Sequence, residues 1–253
     1  MANTPKLVFL ILLAPVISRA DHYPRPRGWK PLHYNFHINL SDSTNRIRGV
    51  AGVGFRILSH GVGQISLDLQ ALDPLTGKGM VVRSVQSGGK DLSFFQGKEV
   101  LIIRLDHKPR RGDSLGVEIA YSGIPSDGLI ISRNKFGDRT FFGDNWPDRA
   151  HDWLPVVDHP SQKATVDFMV SAPSVYRVVS NGRLEGIVAG DPGMLVTHWK
   201  ESVPIPTKLM VIGVARFSVI FAGEADGVPV ETWVYPQDSV KGEYDFGIAR
   251  KIL

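Results

Sequence analysis

Hydrophobic and polar residues alternate over short stretches of this chain, and turn signals separate those stretches at intervals of roughly ten residues. From Leu32 to Leu40 every second residue is apolar, and the residues between them are histidines and asparagines. This is the pattern of a half-buried strand that turns one face to a core. Comparable runs predict further strands at residues 48–59, 64–70, 81–86, 100–105, 114–122, 164–170, 177–180, 182–188, 195–200, 207–219 and 228–235.

The last part of the chain changes from a strand pattern to a helical one. Four apolar residues recur at helical spacing within residues 238–253, and these are Val240, Tyr244, Ile248 and Ile252. Earlier in the chain, Asn181-Gly182 lies between two predicted strands and is typical of a hairpin turn. The pattern predicts an all-β fold, a multi-stranded β-sandwich followed by a short C-terminal helix.

A long irregular segment interrupts the strands between Phe141 and Val166. Its prolines, Pro147, Pro155 and Pro160, argue against a regular helix or an inner strand because proline lacks an N–H group. A segment of this length, rich in aromatic and charged residues, is typical of a binding loop or a buried corner. We therefore take it as the candidate functional region and call it the central loop.

Several side chains of the central loop have two interpretations. Trp146 and Trp153 are either core residues or a contact surface, and for Trp153, which precedes Leu154, the core is favoured. Four charged residues form either a polar binding rim or a solvated loop, and these are Asp144, Asp148, Arg149 and Asp152. We expect Asp158 and Lys163 to fix the loop by hydrogen bonds and a partly buried ion pair.

Two other groups of residues suggest a metal site and a catalytic triad, but a purely structural explanation fits both better. His33 and His37 lie on one face of a predicted strand, about 13 Å apart, which is too far for one metal ion. Asp158, His159 and Ser161 suggest a catalytic triad, but triads assemble from separated positions and the chain has no G-x-S-x-G motif. The sequence therefore predicts solvated strand histidines and no triad.

Residues 1–20 resemble a secretory signal peptide, with Lys6 before a short apolar core and small residues at the cleavage positions. An uncleaved anchor is the alternative, although the apolar run is short for a membrane span and no second one follows. We expect a secreted, periplasmic or cell-envelope protein. Cleavage would remove two of the 29 basic residues and none of the 25 acidic ones, leaving a charge of +2.

This small charge, without a basic run carrying aromatics, gives no support for a nucleic-acid partner. The absence of cysteine excludes disulfides and cysteine catalysis.

The run from Asp158 to Thr165, DHPSQKAT, resembles the D-x-P-x-x-K-A-T signature in the N-terminal domain of aminopeptidase N-type zinc metallopeptidases. Other family segments follow in order. They are the turn at residues 179–182, the segment 197–209 (with Pro206 where serine is common) and the strand 228–236 that closes the domain. The helix is similar to the first element of the family's catalytic domain. The resemblance implies a β domain over residues 21–237 and the start of a catalytic domain over residues 238–253.

In that family, a glutamine or glutamate of the central loop helps to hold the amino group of the peptide substrate. Aligning the prolines places Trp146 at this position, with Asn145 beside it and Asp144 one residue further back. A tryptophan cannot pair with an ammonium group as a carboxylate does, although its ring can make a cation–π contact. The chain also has His151 where the family often has arginine, and Val156 where it has cysteine.

The family's zinc site needs an H-E-x-x-H motif, and none of the eight histidines here is followed by glutamate. The G-x-M-E-N motif is also missing. The resemblance therefore implies a non-catalytic, metal-free domain that is inactive alone. In the full-length enzyme a catalytic domain with zinc would follow it and remove N-terminal residues from peptides. The alternative is a free-standing exported β-sandwich that binds a peptide, glycan or protein through the central loop.

Overall fold

The computed structural model of the protein describes residues 28–252, and the expected signal peptide lies outside them. The predicted all-β fold class is confirmed, with four sheets among the described residues. The strands, in chain order, are β1 (Trp29–Asn39), β2 (Ile47–Ile57), β3 (Gln64–Asp68), β4 (Gly79–Ser87), β5 (Lys90–Asp91), β6 (Phe94–Gln96), β7 (Val100–Arg104), β8 (Ser114–Ile124), β9 (Leu129–Arg133), β10 (Arg139–Gly143), β11 (Lys163–Pro173), β12 (Arg177–Ser180), β13 (Arg183–Ala189), β14 (Met194–Pro206), β15 (Ile212–Ala215), β16 (Ser218–Ala225) and β17 (Val228–Val234).

The largest sheet has eight strands in the order β13-β14-β11-β1-β2-β8-β4-β5. Strands β1 and β11 are parallel, and the other pairs in this sheet are antiparallel. The parallel pair joins distant parts of the chain, because His33 lies opposite Thr165, 132 residues later. The smaller sheets have the orders β12-β15-β10-β9, β3-β7-β6 and β16-β17.

The core lies on one face of the eight-stranded sheet, as the alternation in β1 predicts. Tyr34, Phe36 and Ile38 are buried, whereas the intervening histidines and asparagines point to the other face. The Phe36 ring lies 5.3 Å from that of Phe168 on β11. The Phe168 ring in turn stacks on Trp153 of the central loop at 6.3 Å, so the loop is packed directly onto the sheet.

The turn at Asn181-Gly182 differs from the predicted hairpin. Strands β12 and β13 on either side of it belong to different sheets, so the turn carries the chain from one sheet to another. The Asn181 side chain accepts the N–H of Val211 at 2.9 Å, which ties the turn to the chain before β15. A turn signal indicates a local change of direction and does not say which strands will pair.

The sequence pattern missed strands β5, β6, β9 and β10. β5 and β6 have two and three residues, too few to show a period of two, and in the five-residue strands β9 and β10 buried and exposed residues do not alternate. Conversely, the predicted strand 207–219 contains a 3-10 helix (Thr207–Leu209), β15 and the start of β16.

The helical pattern at the end of the chain forms two short helices, α1 (Ser239–Phe246) and α2 (Ala249–Ile252), with a break at Gly247. Further 3-10 turns lie at Ala150–Asp152 and Pro236–Asp238. The predicted division into domains at residue 237 coincides with the second of these turns and stays a prediction.

We expect Gly182→Ala to destabilise the protein strongly. Gly182 has φ +81°, and an added Cβ would lie 1.9 Å from the carbonyl oxygen of Lys200. The positive φ should cost about 1–2 kcal/mol, and displacement of the backbone about 1–3 kcal/mol more. The free energy of unfolding, measured by chemical denaturation, tests this.

Gly61→Ala is the matched control. Gly61 has a similar φ of +80° but no atom within 4 Å of an added Cβ, so only the backbone term applies. Equal losses in the two variants would contradict the close approach at Gly182.

Candidate functional site

A buried carboxylate, that of Asp158, ties the middle of the central loop to the chain that follows β14. Its Oδ2 accepts the backbone N–H of His151 at 3.1 Å and lies 2.8 Å from Nδ1 of the same residue. Its Oδ1 accepts the hydroxyl of Thr207 at 2.8 Å. The side chain is 3% exposed, so these partners replace the water that an ionised carboxylate requires.

The pairing with Asp158 also sets the charge of His151. Burial lowers the pKa of His151, but the hydrogen bond and negative charge of Asp158 outweigh it and raise the pKa to about 9. His151 is therefore an imidazolium at neutral pH, and the pair is a half-buried ion pair. Its contribution to stability is complete below the unfolded-state pKa of 6.5 and is lost as the pH rises through about 9.

A second carboxylate, that of Asp68 at the end of β3, extends this network. Its Oδ2 accepts the backbone N–H of Asp158 at 2.7 Å, and its backbone forms a bridge with Val156. Burial raises the pKa of Asp68 to about 6. The backbone N–H of Val157, the residue preceding Asp158, donates to the hydroxyl of Tyr34 on β1 at 3.0 Å. The loop is thus bonded to two sheets.

Asn145 lies inside the protein, although its alignment suggested a substrate-binding role. It is 1% exposed, and its Nδ2 donates to the carbonyls of Thr207 and Met210 at 3.2 and 2.7 Å. Its Oδ1 accepts the indole N–H of Trp153 at 2.9 Å. Every polar group of this side chain is therefore occupied internally, and Asn145 supports the loop from inside, while its role toward a substrate stays a prediction.

Asp144 lies at the loop surface and is paired with Arg149, whose Nη2 is 2.7 Å from its Oδ2. Arg149 also lies 3.4 Å from Asp127 and donates from Nε to the carbonyl of Trp146 at 2.6 Å. Asp152, at the end of the 3-10 turn, accepts the hydroxyl of Ser126. Three of the four rim residues are therefore already bonded within the protein, whereas Asp148 is exposed, so a ligand of Asp144, Arg149 or Asp152 must compete with these internal contacts.

Trp146 is the most prominent exposed group of the loop. Its side chain is 60% exposed, and Nζ of Lys208 lies 4.2 Å from the ring centroid. This is the geometry of a cation–π contact. The loop thus presents a large aromatic face and a cation on a rigid base.

Lys163 differs from expectation. It lies exposed at the start of β11, and among residues 28–252 it forms no ion pair with Asp158, whose partner is His151 instead. Asp158, His159 and Ser161 form no relay either. His159 Nδ1 meets the Ser161 hydroxyl at 2.7 Å, while the Asp158 carboxylate is committed to His151 and Thr207.

Sequence reasoning missed Thr207, Asp68, Tyr34 and Lys208. Each contacts the loop from a strand or turn far along the chain, and a hydroxyl or carboxylate in a strand gives no local signal of such a role. Within the described part of the chain, no group of three or more histidine or carboxylate side chains is arranged to hold a metal ion. Nor does any helix there have the length and apolarity to cross a membrane.

Comparisons with known proteins place this arrangement in context. Residues 30–209 match the profile of the peptidase M1 N-terminal domain. The chain is 26% identical over 182 residues to "Probable aminopeptidase 1" of Saccharolobus solfataricus, which covers 68% of this chain and 21% of the relative. It is 21% identical over 244 residues to glutamyl aminopeptidase of Bitis rhinoceros, covering 92% of this chain and 25% of the relative.

A solved structure shares the fold. The crystal structure of an M1 zinc metallopeptidase from Deinococcus radiodurans superposes with a TM-score of 0.68 at 22% identity, over 82% of this chain and 47% of that one. The chain thus spans a quarter or less of the two curated relatives and under half of the solved chain.

We expect Asp158→Asn to lower the pKa of His151 from about 9, because the substitution removes the negative charge that raises it. The decline in the free energy of unfolding between pH 6.5 and 9 should become shallower in the variant, since the folded and unfolded states then bind protons more equally. A titration followed by nuclear magnetic resonance, with denaturation at several pH values, measures both.

Asp127→Asn is the control, because Asp127 also contacts the central loop but pairs with Arg149 instead of His151. It should leave the pKa of His151 near 9. If Asp158→Asn also left that pKa unchanged, the ion pair would not be its cause.

Proposed function

The chain belongs to the peptidase M1 N-terminal domain family, and we propose that it is the non-catalytic part of an exported zinc aminopeptidase. In this proposal a catalytic domain follows residue 253 and the central loop forms one wall of the peptide site. The observation that carries the proposal is the loop itself. Its base is anchored by buried Asp158 and Asn145, while Trp146 stays exposed.

This division of the loop suits a contact with the amino-terminal end of a peptide. A rigid base holds the contacting group in place without an entropy cost at each binding event. The Trp146 face can contact an apolar side chain or a cation, and Lys208 adds a positive charge beside it. We propose Trp146 as the substrate-contacting residue, with Asp144 as a polar neighbour and Asn145 as its internal support.

The helices at the end of the described chain support a following domain. Val240 and Tyr244, one helical turn apart on α1, are 83% and 87% exposed, and Ile248, in the break between α1 and α2, is 57% exposed. Such exposed apolar surface is unfavourable in water and is typical of an interface. We propose that the catalytic domain covers it.

The residues of this chain do not fit the zinc of the family. The sequence has no H-E-x-x-H motif, and the described residues hold no suitable group of histidines and carboxylates. Zinc and the catalytic base would therefore come from the following domain. Export rests on residues 1–20 and stays a proposal.

The native product should be far heavier than the 27.9 kDa of this chain. Its mass can be measured from its source cells after capture with an antibody against this domain. A product slightly below 27.9 kDa, short by a signal peptide, would contradict the proposal and favour a free-standing binding module.

Activity provides the companion measurement. The purified 253-residue chain should release no N-terminal residues from peptides, with or without added zinc, whereas the heavier product should do so and be inhibited by a chelator. Chelator-sensitive hydrolysis by the short chain would contradict the assignment of chemistry to another domain.

In the heavier product, Trp146→Ala should raise KM for peptide substrates by about two- to fivefold with a smaller change in kcat. This is the size expected from losing an exposed cation–π contact of roughly 0.5–1 kcal/mol. Steady-state kinetics measure the two constants separately.

Phe95→Ala is the matched control, because Phe95 is a similarly exposed aromatic residue, at 63%, on β6 of another sheet. It should change neither constant. An unchanged KM in Trp146→Ala would exclude the proposed contact.

A further inference from the structure

The solvent-facing side of the eight-stranded sheet carries a row of three metal-ligating side chains. His37 on β1 lies opposite Met169 on β11, and Met169 lies opposite His198 on β14. All three belong to the face that points away from the core, since their sequence neighbours on both sides are buried. A thioether therefore stands between two imidazoles on adjacent strands.

The spacing of a sheet brings this row within reach of one ion. Adjacent strands lie about 4.8 Å apart, so the outer two backbones of the row are separated by about 10 Å. Two imidazoles that lean inward over this distance can meet an ion above the central thioether, at metal–nitrogen distances of about 2 Å. By contrast, His33 and His37, four residues apart along β1, are too far from each other.

Asp167 prepares one of the histidines for this role. Its Oδ1 lies 2.5 Å from Nε2 of His198, and the Asp167 side chain is only 9% exposed. A carboxylate that accepts the Nε2–H leaves Nδ1 as the ring atom with a free lone pair, and such carboxylate–histidine pairs commonly orient metal ligands. His33 is not available, because its two ring nitrogens contact Asp167 and Thr165 at 3.2 and 2.7 Å.

His37 completes the row as an uncommitted ligand. Neither of its ring nitrogens has a hydrogen-bond partner in the described part of the chain, and with Met169 it lines a shallow cavity of about 250 Å³.

We propose that His37, Met169 and His198 bind one Cu(I) ion. Thioether and imidazole ligands are the soft and intermediate donors that favour Cu(I), whereas Mg²⁺ and Ca²⁺ require oxygen ligands and structural zinc sites use cysteine, histidine and carboxylate. The site needs no redox step, because the ion binds as Cu(I). It goes beyond the proposed peptide site, which lies on the central loop.

The test is an anaerobic titration of the 253-residue chain with Cu(I) at pH 7, in competition with a colorimetric Cu(I) chelator. We expect one equivalent to bind. His37→Asn, Met169→Leu and His198→Asn should each weaken the affinity at least tenfold, as loss of a ligand requires. Asp167→Asn should weaken it less, because Asp167 only orients a ligand.

Two controls show whether a loss of Cu(I) affinity comes from misfolding or from a histidine outside the proposed site. Thermal unfolding without metal must show that each variant is folded. If a histidine variant is not folded, Met169→Leu replaces it in the test, because this substitution nearly conserves side-chain volume. His60→Asn, in the exposed turn after β2, should leave the affinity unchanged.

Two outcomes would overturn the proposal. One is equal Cu(I) affinity in the unaltered chain and the His37→Asn/His198→Asn double variant. The other is loss of binding in His22→Asn, which would place the ion on the N-terminal segment instead of the sheet.

Discussion

The ion pair between Asp158 and His151 is the interaction on which the candidate site depends. An ionised carboxylate that is 3% exposed is tolerated only when its oxygens have partners, and here each oxygen has one or more. Those partners come from the loop itself and from Thr207, so the carboxylate fixes the loop against the chain that follows β14. Removing it would take away the charge that keeps the proton on His151 and the acceptor of the Thr207 hydroxyl, and with them the tie between the loop and the chain after β14.

The central loop is anchored on its inner side and exposes Trp146 on its outer side. The indole N–H of Trp153 donates to Asn145 inside the protein, and Trp146, next to Asn145 in the chain, is exposed to solvent. At the rim, one side chain makes two of the internal contacts: Arg149 bonds both the carboxylate of Asp144 and the carbonyl of Trp146. The exposed surface of the loop thus combines the Trp146 ring and Lys208 with partly exposed carboxylates such as Asp144.

The sequence predicts those parts of the fold that depend on local periodicity. The alternation in residues 32–40 gives both the strand and its buried face, and helical spacing gives the helices after residue 238. The sequence does not predict which residues far apart in the chain will form hydrogen bonds with each other. Thr207 is 49 residues from Asp158, and nothing near it marks it as a capping hydroxyl. The expected ion pair of Asp158 with Lys163 joined two residues five positions apart, whereas the structure pairs Asp158 with His151.

The single parallel pairing in the large sheet has a consequence for how the protein is made. On the amino-terminal side of the seam, β1, β2, β8 and β4 pair in antiparallel fashion, and on the other side β11, β14 and β13 do so. The seam between β1 and β11 cannot close completely until residue 171 has been synthesised. Until then β1 is an edge strand with unpaired backbone groups, and an edge of eleven residues invites pairing with another chain. A folding chain of this protein therefore exposes an open strand edge until β11 docks on β1, and this makes the partly folded chain prone to aggregation.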